Sequence, residues 1–117
     1  MKTVLVVDDS AFMRKILKIT LETNGFVVIG EAENGTTAVE LYTKHKPDIV
    51  TMDVTMKGMD GIEVTRRIIK MNSNAKILIV SSMGQELVVK DAIRSGAKGF
   101  IVKPFQEGQL LEAMRKL

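Results

Sequence analysis

Two adjacent aspartates, Asp8 and Asp9, close the apolar run Val4–Val7, and a third, Asp53, closes a second run, Ile49–Met52. Ser81 and Ser82 follow the run KILIV at 76–80, and Lys103 follows FIV at 100–102. Gathered in one place, three carboxylates repel and resist joint ionisation. A hard divalent cation with oxygen ligands offsets that repulsion; Mg2+ takes one or two carboxylates, keeps waters, and leaves positions for a phosphate. A carboxylate, such a cation, a hydroxyl and a lysine together suit phosphoryl transfer. That reaction rests mainly on positioning and on neutralising charge at the equatorial oxygens. An aspartate can itself be the nucleophile and form an acyl phosphate.

Each residue has a plainer explanation when taken alone. Asp53 could be a helix cap, Asp8-Asp9 a turn, Ser81-Ser82 a cap for the following helix, and Lys103-Pro104 a surface loop. What argues for a site is the set of elements that would hold them. VLVV at 4–7, FVVIG at 26–30, IVTM at 49–52, KILIV at 76–80 and FIV at 100–102 recur at even intervals and are rich in Val and Ile. Such runs mark strands buried on both faces of a parallel sheet. Between them lie helical stripes: Met13, Ile16, Leu17 and Leu21; Val88, Val89, Ala92 and Ile93; Leu110, Leu111, Met114 and Leu117. Shorter ones span Val39–Tyr42 and Val64–Met71.

The punctuation agrees. Ser10 is placed to cap the first helix, and Asp60 with Glu63 has capping-box spacing. Asn24-Gly25 and Ser95-Gly96 are helix stops, and Pro47 precedes the third run. Strand then helix, five times over, predicts an α/β fold with right-handed crossovers and helices on both faces. In the doubly wound order 2-1-3-4-5, strands one and three are neighbours where the order reverses, and ligands sit beyond the carboxyl ends of strands at such a point. Asp8, Asp9 and Asp53 would then share a crevice, with Ser81 and Lys103 on the same edge.

Composition bounds the rest. The chain has 117 residues, which fits one domain over 1–117. It is 45% hydrophobic with no Trp, one Tyr and eight Met, so the core must be aliphatic. No Cys is present, which removes disulfides, thiolate metal sites and redox motifs and agrees with a cytoplasmic setting. No apolar run reaches the ~20 residues of a spanning helix, and the start lacks the pattern of a signal peptide. The net charge of +3 is mild, and the basic residues are scattered. They read as solvated helix faces and not as a nucleic-acid footprint. No apolar patch is left unassigned, which points to a monomer.

VVDDS at 6–10, MDVTMKGMDG at 52–61, VSS at 80–82 and VKPF at 102–105 together resemble the receiver domain of two-component response regulators, over essentially the full length. The resemblance implies a flavodoxin-like (βα)5 fold. Asp53 would accept a phosphoryl group from a histidine kinase or a small phosphodonor. Asp9 would ligate Mg2+ directly, Asp8 through a water, and Thr55 through its backbone carbonyl. Ser81 would hydrogen-bond the phosphoryl group and Lys103 would pair with it, its bond to Pro104 being cis. Phe100 would occupy the space vacated when Ser81 moves inward, and the face of helix four, strand five and helix five would change its partner.

The chain departs from the family pattern at Lys57, where Pro is usual. With Gly58 following, the loop loses a φ constraint and gains freedom. Thr55 and Met83 stand where the family tunes hydrolysis rate. DDSAFMR at 8–14 and VSSMGQE at 80–86 resemble the family's stand-alone chemotaxis regulators. The expected partners of such a regulator are a histidine kinase, a motor-switch or adaptor protein, and a phosphatase. DDSAFMR also resembles the receiver of a chemotaxis methylesterase, so an excised receiver, or a single-domain phosphorelay shuttle, is an alternative. Lys90, Arg94, Lys98, Arg115 and Lys116 could favour an acidic partner segment. By the same resemblance the chain is a signalling phosphoacceptor and not an enzyme acting on other substrates. A phosphatase with an aspartate nucleophile would want a second aspartate at position 55, which is Thr. A nucleotide- or flavin-binding module would want a glycine-rich loop where DDSAF stands. An interaction domain independent of phosphorylation would form no acyl phosphate.

Overall fold

Val4, Leu5, Val6 and Val7 are all withdrawn from solvent, as are Ile49, Val50 and Met52 and the run Ile77–Val80. Unbroken apolar runs of this kind can be buried only inside a sheet covered on both sides. The computed structural model, which describes residues Met1–Leu117, shows that sheet. Its elements alternate: β1 (Thr3–Val7), α1 (Ala11–Thr23), β2 (Val27–Ala32), α2 (Gly35–His45), β3 (Ile49–Met52), α3 (Gly61–Met71), β4 (Lys76–Ser81), α4 (Glu86–Arg94), β5 (Gly99–Val102) and α5 (Glu107–Arg115). The strands are parallel in the order β2-β1-β3-β4-β5. The expected fold class and strand order therefore stand.

Burial on both faces holds for β1, β3 and β4 only. β2 and β5 are the sheet edges; most of β2 is half-buried, and Val102 is open to solvent. Alternation along the inner strands divides the core in two. Leu5, Val7, Val50, Met52, Ile77 and Ile79 meet α2, α3 and α4 through Ala38, Tyr42, Val64, Ile68 and Ala92. Val4, Val6, Ile49, Leu78 and Val80 meet α1 and α5 through Leu17, Leu21, Leu110 and Met114. Each large aliphatic side chain so buried contributes roughly 1.5–3 kcal/mol. Ile93 of the predicted α4 stripe does not join either core and is 47% exposed.

Helix ends follow the sequence signals closely. Ser10 Oγ accepts from the Met13 amide at 3.1 Å, and Asp60 Oδ1 from the Glu63 amide at 2.9 Å. The Asp60–Glu63 box is only half made, because the Glu63 carboxylate pairs instead with Arg66 and Arg67 at 3.4 and 3.2 Å. Gly25 and Gly96, with φ of +91° and +113°, end α1 and α4 in the left-handed region. Ser82 caps nothing; α4 begins after Gln85, which makes no side-chain cap.

Candidate functional site

The sheet's ladder runs one rung past the strands and thereby fixes the polar residues at its carboxyl edge. The Asp8 amide donates to Ala32 O at 3.0 Å, the Asp53 amide to Val7 O at 3.0 Å, and the Lys103 amide to Ser81 O at 2.8 Å. Because β1 and β3 are neighbours, Asp8, Asp9 and Asp53 converge: one oxygen from each lies within 4.8 Å of the others. Asp8 and Asp53 are buried, at 1% and 5% exposure, while Asp9 faces solvent.

These carboxylates are unequally free. Asp8 Oδ1 accepts from the Ser10 amide at 2.9 Å, and its Oδ2 takes the Lys103 ammonium at 2.7 Å. Lys103 Nζ stands 3.6 Å from Asp53 Oδ1. The Lys103–Pro104 bond is cis, as expected. Asp53 feels burial first and the Asp8 charge second, with Asp9 adding to both. Lys103 and the Thr55 amide pull the other way but lose, and the Asp53 carboxyl is pushed up to about 6. Such a donor set fits a hard divalent cation: oxygen ligands only, three carboxylates sharing one ammonium, and an electrostatic conflict that a double positive charge relieves.

Ser81, fully buried, ends β4; its Oγ accepts from the Met83 amide at 3.0 Å. Phe100 on β5 lies beside Ile79 of β4 and packs, half-buried, on the α2–α3–α4 core. Thr55 is exposed; its Oγ1 lies 3.2 Å from Met83 Sδ, joining the β3–α3 and β4–α4 loops. Lys57 is exposed and Gly58 takes φ +78°, a left-handed turn that glycine permits.

Two residues of the site had no reading from sequence. Arg14, one turn into α1, donates from Nη1 to the Asp8 carbonyl at 2.8 Å and pairs with Glu31 at 3.1 Å. It anchors the backbone that carries two of the acids. Gly61 opens α3 against the Asp53 backbone, and a methyl group there would overlap the Asp53 carbonyl oxygen. Asp60 was read as a cap with Glu63; the close approach to Asp53 is the reason for the glycine beside it. The basic surface is thinner than its residue count implied. Lys90 pairs with Glu86, and Arg115 and Lys116 with Glu112, leaving Arg94 and Lys98 without carboxylates in reach. Phe12 and Leu87, at the starts of α1 and α4, are apolar side chains left in solvent, at 73% and 76% exposure.

A doubly wound five-stranded sheet with an acidic crevice at its reversal point and a lysine opposite defines a class. The family model of the response regulator receiver domain matches residues 4–115, and the chain belongs to that family. Among its members the chemotaxis regulators stand near. The chain is 54% identical to the chemotaxis protein CheY of Bacillus subtilis, over 97% of this chain and 94% of that one. It is 53% identical to CheY of Thermotoga maritima, over 99% and 97%. Among solved structures, CheY in the CheX–CheY–BeF3–Mg2+ complex from Borrelia burgdorferi superposes with a TM-score of 0.96 at 40% identity, covering 98% of this chain and 87% of that one. The response regulator domain of Thermotoga maritima CheB gives 0.91 at 38%, covering 99% and 95%. No helix is long and apolar enough to cross a membrane.

Proposed function

We propose that this chain is a single receiver domain working as a CheY-type response regulator. Asp53 accepts a phosphoryl group from a histidine kinase with Mg2+ as cofactor, and the α4–β5–α5 face relays the change to a chemotaxis output. The observation that carries this reading is the convergence of three carboxylates within 4.8 Å, with Lys103 reaching Asp8 and Asp53 from across the crevice. Asp53 would be the nucleophile: as its Oδ–P bond forms, the donor's P–N bond breaks and an acyl phosphate results. Bound Mg2+ would supply charge neutralisation for the transferring group.

Asp9 pairs with no ammonium and Asp53 only at 3.6 Å, which supports direct ligation by both. Asp8, already committed to Ser10 and Lys103, suits a water-mediated role. The Thr55 carbonyl would complete the protein ligands. Lys103 would move its charge from Asp8 to the new phosphoryl oxygens. Ser81 would turn its hydroxyl from the Met83 amide toward the phosphoryl group, with Phe100 following into the space left. That is a local charge event biasing a two-state element.

The chain's partners would be a histidine kinase, a motor-switch or adaptor protein and a phosphatase. In Borrelia, CheX engages a CheY that carries BeF3 and Mg2+. The setting would be cytoplasmic and the protein monomeric, catalysing only its own phosphorylation and dephosphorylation. Gly58 and the Lys57 that replaces proline would leave the loop over the site more mobile than in relatives with proline. The likeness to the CheB receiver supports a second reading, in which the domain serves a methylesterase.

The test is beryllofluoride with Mg2+, which mimics the acyl phosphate. Amide shifts at Ser81, Phe100 and along α4 are expected in the wild type and absent in Asp53→Asn. Shifts confined to Asp8 and Asp9, with α4 and Phe100 unmoved, would overturn the switch.

A further inference from the structure

The strand-start edge of the sheet, opposite the acidic crevice, carries a cleft of about 630 Å3. Lys2 precedes β1, Lys46 ends α2 and Lys76 begins β4, and all three line it. Lys46 and Lys76 have no carboxylate within ion-pair distance, while Lys2 Nζ donates to the Leu117 carbonyl oxygen at 3.5 Å. Asp48 is the one acid in the lining, and its Oδ2 already accepts from the Thr3 amide and hydroxyl at 2.8 and 3.2 Å. Lys46 and Lys76 are therefore the unpaired cations of the cleft.

A second feature points the same way. Tyr42 is 5% exposed, yet it lines the cleft. Asn72 Oδ1 is committed to the Asn74 amide at 3.0 Å, so its Nδ2 is the end that meets Tyr42, at 3.2 Å. The phenol oxygen is thus the acceptor there, and its own proton is left without a protein partner. That hydroxyl has a donor free for an acceptor that enters the cleft.

Lys46 is the C-cap of α2, its amide reaching Tyr42 O at 2.8 Å. Lys46 also holds φ at +45°, the one residue other than glycine in the left-handed region, where glycine would fold more readily. Its side chain is kept at a conformational cost.

We propose that this cleft binds a phosphate monoester, its dianionic phosphoryl group held by Lys46 and Lys76 and by the Tyr42 hydroxyl. The volume lies within the range of small-molecule sites, and Met71 and Ala75 give the organic portion apolar wall. The site lies apart from Asp53 and does not depend on the phosphoacceptor reading.

The full chain, kept metal-free with a chelator, is titrated with adenosine monophosphate, inorganic phosphate and adenosine while backbone amides are followed by NMR. Adenosine monophosphate should saturate shifts at Tyr42, Asn72 and Lys76 with a Kd below about 1 mM, inorganic phosphate should compete, and adenosine should bind at least about tenfold more weakly. Lys46→Gly, which relieves the left-handed backbone and should fold at least as stably, should weaken binding about tenfold; Tyr42→Phe should weaken it severalfold. Asp53→Asn should leave it unchanged. The proposal is overturned by no saturable shift at these amides with either phosphate up to about 10 mM. Equal affinity for adenosine, or binding indifferent to Lys46→Gly, would overturn it equally.

Discussion

Lys103 Nζ sits 2.7 Å from Asp8 Oδ2 and 3.6 Å from Asp53 Oδ1, so the lysine rests on the acid of β1 and only leans toward the acid of β3. Asp53 is thereby a buried carboxylate whose charge is only partly compensated. Its charge state should govern how this protein's stability varies with pH.

Asp53 holds its proton to about 6 in the fold but to 3.8 when unfolded. A carboxyl raised on folding adds most stability below its unfolded value and loses that contribution as pH climbs through its folded value. Metal-free wild type should therefore fall in stability relative to Asp53→Asn between about pH 4 and pH 6. Above that, Asp53→Asn should be more stable by on the order of 2–3 kcal/mol. Mg2+ should narrow the gap by binding the folded wild type. Urea unfolding at several pH values, with and without Mg2+, measures both; a gap that does not change with pH would deny the crevice its electrostatic strain.

Lys103→Met should strip Asp8 of its countercharge inside the protein. With Asp8 at 1% exposure and Lys103 at 16%, the loss should be about 3 kcal/mol. Asp8→Asn in the same chain should restore part of it. A double-mutant cycle by denaturant unfolding should give a coupling above about 1 kcal/mol; additive effects would mean the contact has little energetic weight.

Gly61→Ala should push the start of α3 off the Asp53 backbone, since the new methyl overlaps the Asp53 carbonyl. A cost of about 2 kcal/mol or more is expected from overpacking. Mg2+ affinity should drop with it, because Asp53 is displaced. Thermal unfolding and a metal titration report the two effects separately.

Thr51 lies fully buried in β3, and its hydroxyl has no hydrogen-bond partner. Thr51→Val exchanges that hydroxyl for a methyl among apolar neighbours. Stability should rise by about 1 kcal/mol, with phosphoryl chemistry unchanged, as read by chemical denaturation beside a phosphorylation assay.

Much of this molecule can be read in its sequence because its period is so regular. VLVV, IVTM and KILIV announce buried parallel strands, and parallel strands send Asp8, Asp9, Asp53, Ser81 and Lys103 to one edge; that β1 and β3 are neighbours followed only from taking the order 2-1-3-4-5. FVVIG and FIV look like the inner strands but lie at the sheet's edges, since an apolar run does not disclose whether a neighbour lies on each side. Arg14 lay hidden because its target is a backbone carbonyl, which leaves no trace in residue types. Lys46 was equally silent: its left-handed backbone is imposed by the turn into β3, where glycine or asparagine would have signalled it. Which acid Lys103 prefers depends on distances of about an ångström, and spacing along the chain carries no such information.

The most direct test of the central claim is intact mass after incubation with acetyl phosphate, with and without Mg2+. The wild type should gain the mass of one phosphoryl group only when Mg2+ is present, and Asp53→Asn should gain none. An Asp53→Asn protein that still acquires the group, or a wild type that never does in Mg2+, would contradict Asp53 as the phosphoacceptor.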